Sequence, residues 1–387
     1  MNTLANRADV IVIGAGTLGT FHAYYAARKG YKTLLLERNA FPNDASTRNF
    51  GMVVQTIVPV DGEWATYTRD SRETYLRLQR DYQLPVRQTG SLYIASTEIE
   101  QRVLQEFVQA YSDTYHCIYI EADEAVRRHP FLHASYCRGA LLFPDDLAVE
   151  PRFLLKTLLP QLVKEQLIDY RPQTTVVSVQ RQGLHCVVED AAGNVFTSDT
   201  VFVCSGADYR TLFPEFFTRS GLRICKLQML QTVVQPRQVL PHSILSGLSI
   251  QRYPGFASCP SYPLLSEQER DEDIRAYGIH LLFKQAVDGS IIIGDSHEYS
   301  SFEDAMRGEE YTNCAINDAI VRYGQRMLDL PTWDMQLLWN GYYLLHPERE
   351  VYTERIDESI HIVTGIAGKG MSTGPGFSRA NVNAVLR

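Results

Sequence analysis

The 387-residue sequence has little of what marks a secreted, membrane-spanning or nucleic-acid-binding protein. Its seven cysteines, Cys117, Cys137, Cys186, Cys204, Cys225, Cys259 and Cys314, include no CxxC pair. That spacing speaks against a disulfide framework and a zinc cluster, so buried free thiols and no metal site are expected. No apolar run approaches the roughly 20 residues that a bilayer span requires. Met1 to Asp9 holds one arginine and no apolar segment of signal-peptide length, which predicts a cytoplasmic protein. Positive charge is in deficit too: 37 Lys and Arg against 45 Asp and Glu leave a formal charge of −8, a field that repels nucleic acid and anionic membrane. Any anionic ligand must therefore be met by local groups. Repeats and low-complexity tracts are missing, and the polar stretch Ser266 to Asp273 reads as a solvated segment between strands. With 45% hydrophobic and 21% charged residues, the chain has the composition of a globular protein large enough for two cores.

The strongest local signal is the apolar run Ala8 to Ile13, which reads as a buried strand and feeds Gly14-Ala15-Gly16-Thr17-Leu18-Gly19. Leu18, Phe21, Tyr25 and Ala26 then fall at helical spacing, Gly30 supplies a stop, and Thr33 to Glu37 reads as a second parallel strand. In such a unit Gly14 permits the tight turn, Gly16 lets backbone approach a pyrophosphate, and Gly19 allows close helix packing. The helix N-terminus adds partial positive charge. Glu37 stands about twenty residues beyond the turn, where a carboxylate accepts ribose hydroxyls and repels a 2′-phosphate. A dinucleotide other than NADP is the expected ligand; this motif alone does not separate NAD from FAD.

Two further segments repeat the design. Thr200 to Val203 is an apolar strand ending in Cys204-Ser205-Gly206-Ala207, and Ile360 to Thr364 ends in Gly365-Ile366-Ala367-Gly368-Lys369-Gly370-Met371, after which a helix is expected from Gly376. Together with Ala45-Ser46-Thr47-Arg48-Asn49-Phe50-Gly51-Met52, Thr174-Thr175-Val176, the Asp288-Gly289 hairpin between Leu282 and Asp295, and Trp339-Asn340-Gly341, these segments stand in the order found in the glycine oxidase/sarcosine oxidase/D-amino-acid oxidase family. The chain resembles that family nearly from end to end, and the resemblance implies FAD rather than NAD. It carries FAD contacts onto Gly14, Ala15, Gly16, Thr17, Leu18 and Gly19 of the turn, and onto Glu37 and Arg38. It adds Ser46, Thr47, Arg48 and Asn49, then Val176, Cys204, Ser205, Gly206 and Gly341, and finally Gly368, Lys369, Gly370, Met371 and Ser372.

The implied fold is α/β plus β: a discontinuous Rossmann-like FAD-binding domain of residues 1–83, 145–221 and 335–387. Residues 84–144 and 222–334 would form a second domain on an antiparallel sheet that covers the flavin and includes Gly90 to Ala95 and Leu227 to Val234.

The family's chemistry implies hydride transfer from the carbon beside a neutral amine to the flavin, leaving an imine that water hydrolyses. Family members that take α-amino acids hold the carboxylate with an arginine two residues after Trp-x-Gly, where this chain has Tyr343 following Gly341 and Tyr342. A second cation carried by some members falls here on Gly368. Arg48 to Met52, Lys226 to Met229, Arg252-Tyr253-Pro254 and Cys259-Pro260-Ser261 resemble a subgroup associated with bacterial aminophosphonate breakdown. This implies an anionic small-molecule amine such as 2-aminoethylphosphonate or a hydroxylated or N-methylated relative. A phosphonate is close to a dianion at neutral pH and calls for several donors. The candidates are Lys369, Tyr343, Arg252, Tyr253 and His346, with Asn49 and Met52 near the ring. Arg252 and Tyr253 read equally as a turn, His346 as an ordinary loop histidine, Phe50 as core and Lys226 as solvated. The alternatives are a glycine or sarcosine oxidase using Arg252, a dehydrogenase passing electrons to an acceptor other than oxygen, and an FAD module of a larger complex. Oligomeric state leaves no mark in the sequence.

Overall fold

Every residue of Val10–Ile13 is apolar and buried, as expected of a strand covered on both faces. It lies between Thr33–Leu36 and Thr200–Val203, in parallel register with both. In the computed structural model, which describes residues 6–237, 239–306 and 311–386, these strands are the middle of a six-stranded sheet. Its order is Tyr352–Arg355, Ile360–Thr364, Thr200–Val203, Val10–Ile13, Thr33–Leu36 and Asp169–Arg171. All neighbours are parallel except the first pair. Residues 1–5, 238, 307–310 and 387 of the expected segments lie outside the described residues.

One core joins this sheet to the helices Thr17–Arg28, Gly62–Tyr82 and Gly370–Val385, through residues that include Phe21, Tyr75 and Phe377. The last helix starts at Gly370, six residues before the expected Gly376. Pro375 signals a boundary in the sequence, since proline lacks an N–H and favours helix starts. Here it is carried inside the helix, and the next N–H, that of Gly376, turns to Ser71 Oγ at 2.9 Å. A Cβ at Gly376 would collide with the Tyr67 carbonyl, so glycine sets how closely the two helices approach.

The second sheet has nine strands. From edge to edge they are Glu298–Ser300, Arg223–Thr232, Ile291–Gly294, Leu282–Gln285, Ser243–Ser246, Ser91–Ala95, Gly139–Phe143 and Ile118–Glu121, with Met335–Leu345 also paired to Arg223–Thr232. It is antiparallel save for Ser243–Ser246 beside Ser91–Ala95. The expected hairpin forms around Asp288-Gly289, with Gly289 at φ +88°. Met335–Leu345, expected to open the last FAD-binding segment, instead runs along Arg223–Thr232 from Thr232 opposite Met335 to Arg223 opposite Leu345. Six cysteines are buried as expected; Cys314 is exposed at the start of the helix Cys314–Met327. Among the described residues no helix is long and apolar enough to cross a membrane.

Candidate active site

Sheet order explains why three segments far apart in sequence act together. Val10–Ile13, Thr200–Val203 and Ile360–Thr364 are neighbours, so their C-terminal turns meet at one edge, where ligands bind in open α/β sheets. Gly14 adopts φ +92°, and a Cβ there would collide with the Cys204 carbonyl; at Gly19 it would collide with the Gly14 carbonyl. The turn is pinned from outside. Ala15 N–H donates to Glu37 Oε2 at 2.9 Å, Asn39 N–H to Glu37 Oε1 at 2.9 Å, and Thr17 N–H to Ser46 Oγ at 2.8 Å. Buried Glu37 thus organises the turn.

Two confluent cavities open at this edge. The smaller, about 100 Å³, is lined by Gly14, Gly16, Glu37, Arg38, Val176 and Ser205 among others. Arg38 spans it, bonded to Asp44 and Asp208 at 2.8 Å each. The larger, about 440 Å³, shares Gly16, Ala45, Ser46, Cys204 and Gly206 with it and continues past Thr17, Leu18, Gly19, Gly368, Lys369, Gly370 and Met371 to the nine-stranded sheet. An elongated cradle with glycines where backbone must come close and a helix N-terminus at its middle fits FAD, which these lining residues would hold. Thr47, Arg48, Gly341 and Ser372 line neither cavity; they brace it. Thr47 Oγ1 donates to Asp44 O, and the Arg48 guanidinium to Asn43 O and Asn340 O. Trp339 Nε1 donates to Arg48 O, and a Cβ at Gly341 would press on Leu227. Ser372 Oγ accepts from Val54 N–H at 3.1 Å, tying the last helix to the loop at Met52.

At the far end of the cavity the sequence candidates separate. Arg252, Tyr253, Tyr343, Met52, Asn49 and Lys369 all line it; His346 and Lys226 do not. His346 stacks against Tyr352, ring centroids 6.5 Å apart, and its Nδ1 accepts from Glu348 N–H. Lys226 pairs with Glu298 at 3.5 Å and is mostly covered, correcting the expectation that it is solvated. The Asn49 amide is spent on its own loop, donating to Ala45 O and Ser46 O and accepting from Gly51 N–H. Lys369 is buried, its ammonium 2.6 Å from Glu350 and 5.2 Å from the centre of the Trp64 ring; burial lowers its pKa and Glu350 opposes that.

Arg252 therefore remains the cation directed at the cavity end among the expected residues. It closes the helix Gly247–Arg252 and donates to Tyr299 Oη at 3.1 Å. Its surroundings oppose its charge by desolvation, but Tyr343, Tyr299 and Asp295 outweigh that and hold it firmly cationic. Tyr253 is buried beside it, and burial raises the pKa of both Tyr253 and Tyr343, keeping them protonated donors.

Sequence reasoning missed His280, Asp295, His297 and Tyr299, which line the same end. His280 and Asp295 exchange backbone hydrogen bonds at 3.1 and 3.0 Å, just beyond the hairpin strands and one residue out of their register. In-register extension of the Asp288-Gly289 hairpin sets Asp295 opposite Leu281, so the one-residue shift hides the pairing from the sequence. Burial drives His297 down to about 3 and lowers His280, so both rings are neutral at pH 7. The pKa of Asp295 lies below the usual carboxylate value: burial pushes it up, but the positive charge of Arg252 is among the influences that pull it down further.

Comparison with known proteins places this geometry. The family model for FAD-dependent oxidoreductases, DAO, matches residues 9–382. Glycine oxidase of Bacillus licheniformis is 25% identical over 221 residues, 55% of this chain and 58% of that protein. Glycine oxidase of Bacillus subtilis (strain 168) is 23% identical over 205 residues, 51% and 54% respectively. The matches thus span a little over half the length of these relatives. The solved glycine oxidase from Geobacillus kaustophilus shares the fold with a TM-score of 0.77, covering 98% of this chain and 95% of that one at 15% identity. The expected two-part α/β and β architecture is therefore that of glycine oxidase, and the chain belongs to the DAO family of FAD-dependent oxidoreductases.

Proposed function

We propose that the protein oxidises a small amine bearing an anionic group, transferring hydride from the amine-bearing carbon to FAD and giving an imine that hydrolyses to an aldehyde and ammonia or an amine. An aminophosphonate of the 2-aminoethylphosphonate type is the substrate class we favour. The observation that carries the reading is the convergence of Arg252, Tyr253, Tyr299 and Tyr343 at the cavity end, with tyrosine standing where α-amino-acid-specific members carry their carboxylate-binding arginine. A tetrahedral group with three acceptor oxygens suits donors arriving from several directions better than it suits one planar fork. Bound FAD supplies the two-electron acceptor. The chain's own residues exclude water, fix the anionic group, and hold the reacting carbon at the Met52 and Gly368 face of the cavity. As part of this reading, residues 1–83, 145–221 and 335–387, except the strand Met335–Leu345, form the FAD-binding part, and that strand joins 84–144 and 222–334 in the substrate part.

The test is anaerobic mixing of purified, FAD-loaded protein with 2-aminoethylphosphonate and, separately, with glycine. Loss of the oxidised-flavin absorbance with the phosphonate alone is expected. Bleaching by glycine alone would overturn the substrate class in favour of a glycine or sarcosine oxidase in which Arg252 takes a carboxylate. Oxygen uptake during turnover separates an oxidase from a dehydrogenase with another acceptor.

A further inference from the structure

Three side chains at the cavity end, His280, Asp295 and His297, take no part in the proposed hydride transfer. They come from the two arms of one hairpin, and His297 N–H is drawn back to Tyr277 O at 2.9 Å. Relative exposures of 5, 6 and 6% leave all three more than nine-tenths buried, yet each reaches the cavity wall. Their side-chain N and O atoms lie within 4.8 Å of one another.

The contacts inside the cluster are not those of a satisfied hydrogen-bond network. His280 Nδ1 is 2.8 Å from Asp295 Oδ1, but the oxygen lies off the N–H direction, and both atoms are buried without a hydrogen-bond partner. His297 Nε2 stands 3.8 Å from Asp295 Oδ2, beyond hydrogen-bond range. Its other nitrogen, Nδ1, is 3.1 Å from the Gly278 carbonyl and so carries the ring proton, which leaves Nε2 presenting a lone pair to a carboxylate. A lone pair facing an anion in a dry wall is unfavourable. A cation among the three atoms turns each of these defects into a bond. Adjacent ligands of a six-coordinate first-row metal, with bonds of about 2.1 Å, sit about 3 Å apart; the spacings here are 2.8 and 3.8 Å, and all three ligand atoms lie within 4.8 Å of one another. An outer carbonyl on the far ring nitrogen, here Gly278 O, is the usual partner of a ligating histidine.

We propose that His280, Asp295 and His297 form a binding site for one divalent first-row transition metal, with its remaining coordination positions open to the cavity. Two imidazoles and one carboxylate suit iron, cobalt, nickel or zinc better than magnesium or calcium. The role of the metal rests on the function proposed above. Without it, Arg252 and Asp295 cancel, and the cavity end is neutral with a carboxylate exposed to any anion. With it, the end carries a net charge of two and matches a phosphonate dianion, whose oxygens take the open positions while Arg252 and the tyrosines hold the rest.

The experiment is calorimetric titration of chelator-treated, FAD-loaded protein with Co²⁺ and with Zn²⁺, following ligand-field absorption for Co²⁺. One ion per chain is expected, with binding weakened at least about a hundredfold in His297→Ala and in Asp295→Asn. The exposed pair His185–Asp199 provides the control, since His185→Ala should leave stoichiometry and affinity unchanged. An unaltered flavin spectrum in each variant establishes folding. If neither variant holds FAD, methylphosphonate added to the wild type is the second measurement, and it should tighten Co²⁺ binding. Binding below one equivalent, or unaffected by the variants, overturns the site and leaves Asp295 to pair with the substrate's ammonium group. The titration needs no turnover. Stoichiometric Co²⁺ on a protein that ignores 2-aminoethylphosphonate would sink the substrate class and leave the metal site standing.

Discussion

Tyr343 stands against Gly368: a Cβ on Gly368 would lie 3.4 Å from the Tyr343 phenol oxygen. A methyl group fits at that distance, but a longer side chain must displace the ring. The two departures from the family pattern, tyrosine in place of arginine and glycine in place of a cation, are therefore one packing arrangement. Gly368→Ala is expected to keep flavin reduction within about twofold. Gly368→Arg should lower kcat/KM by about tenfold or more, the effect of roughly 1–3 kcal/mol of overpacking. Stopped-flow flavin reduction across a substrate series checks both, and an active Gly368→Arg protein would show that Tyr343 does not shape the cavity.

Arg252 should act mainly through substrate binding. Arg252 is exposed at the cavity end, and a hydrogen bond to a charged group is worth about 1.5–3 kcal/mol, so Arg252→Met should reduce kcat/KM by roughly tenfold or more, most of it in KM. Tyr299→Phe deletes the phenol oxygen that Arg252 contacts at 3.1 Å; a loss of about fivefold is expected from one hydrogen bond of about 1 kcal/mol. Steady-state kinetics with 2-aminoethylphosphonate measures both, and equal losses in kcat and kcat/KM would move Arg252 from anchoring to chemistry.

Local signals make the nucleotide end readable. Gly14, Gly16 and Gly19 sit within six residues, and Glu37 follows at the spacing one βαβ unit dictates. The start of the C-terminal helix is misread because Pro375 speaks for a boundary, whereas the helix runs through it from Gly370 and the Gly376 N–H donates to Ser71 Oγ on another helix. The substrate end is harder. Arg252 and Tyr253 are indistinguishable from a turn until the sheet is built. His346 and Lys226 lie close to Tyr343 in chain or register, yet their side chains leave on other sides of the strands. His280, Asp295 and His297 carry no spacing motif, because a hairpin and not a helix face unites them.

Asp146 offers a stability test apart from catalysis. Burial raises its pKa to about 7, against the opposing Ser91 and Gln55 hydrogen bonds. Between the unfolded value near 4 and about 7, the folded protein keeps a proton that the unfolded chain has lost, so stability falls as pH rises through that window. Asp146→Asn should abolish the fall, worth up to about 4 kcal/mol for a shift of about three units. Urea unfolding of FAD-loaded protein at pH 4.5 and 7.5 compares the slopes; parallel slopes would mean that Asp146 ionises freely.

The Lys369–Glu350 pair predicts a pH effect of definite sign. Burial lowers the pKa of Lys369, and Glu350, 2.6 Å away and half exposed, raises it part of the way back. Glu350→Gln removes only the raising contribution, so the ammonium should lose its proton at a lower pH than in the wild type. Lys369 lies in the turn before the last helix, at the cavity, where positive charge favours the anionic reduced flavin. The alkaline limb of flavin reduction should therefore move to lower pH in Glu350→Gln, while Lys369→Met should have no such limb and reduce more slowly throughout. Stability responds in the opposite sense. Above the folded pKa the unfolded chain binds the extra proton, so stability rises with pH up to the unfolded value near 10.4, over a wider window in Glu350→Gln than in the wild type. A limb that moves without the wider stability window would place the titrating group elsewhere in the cavity; both shifts together would identify it as Lys369.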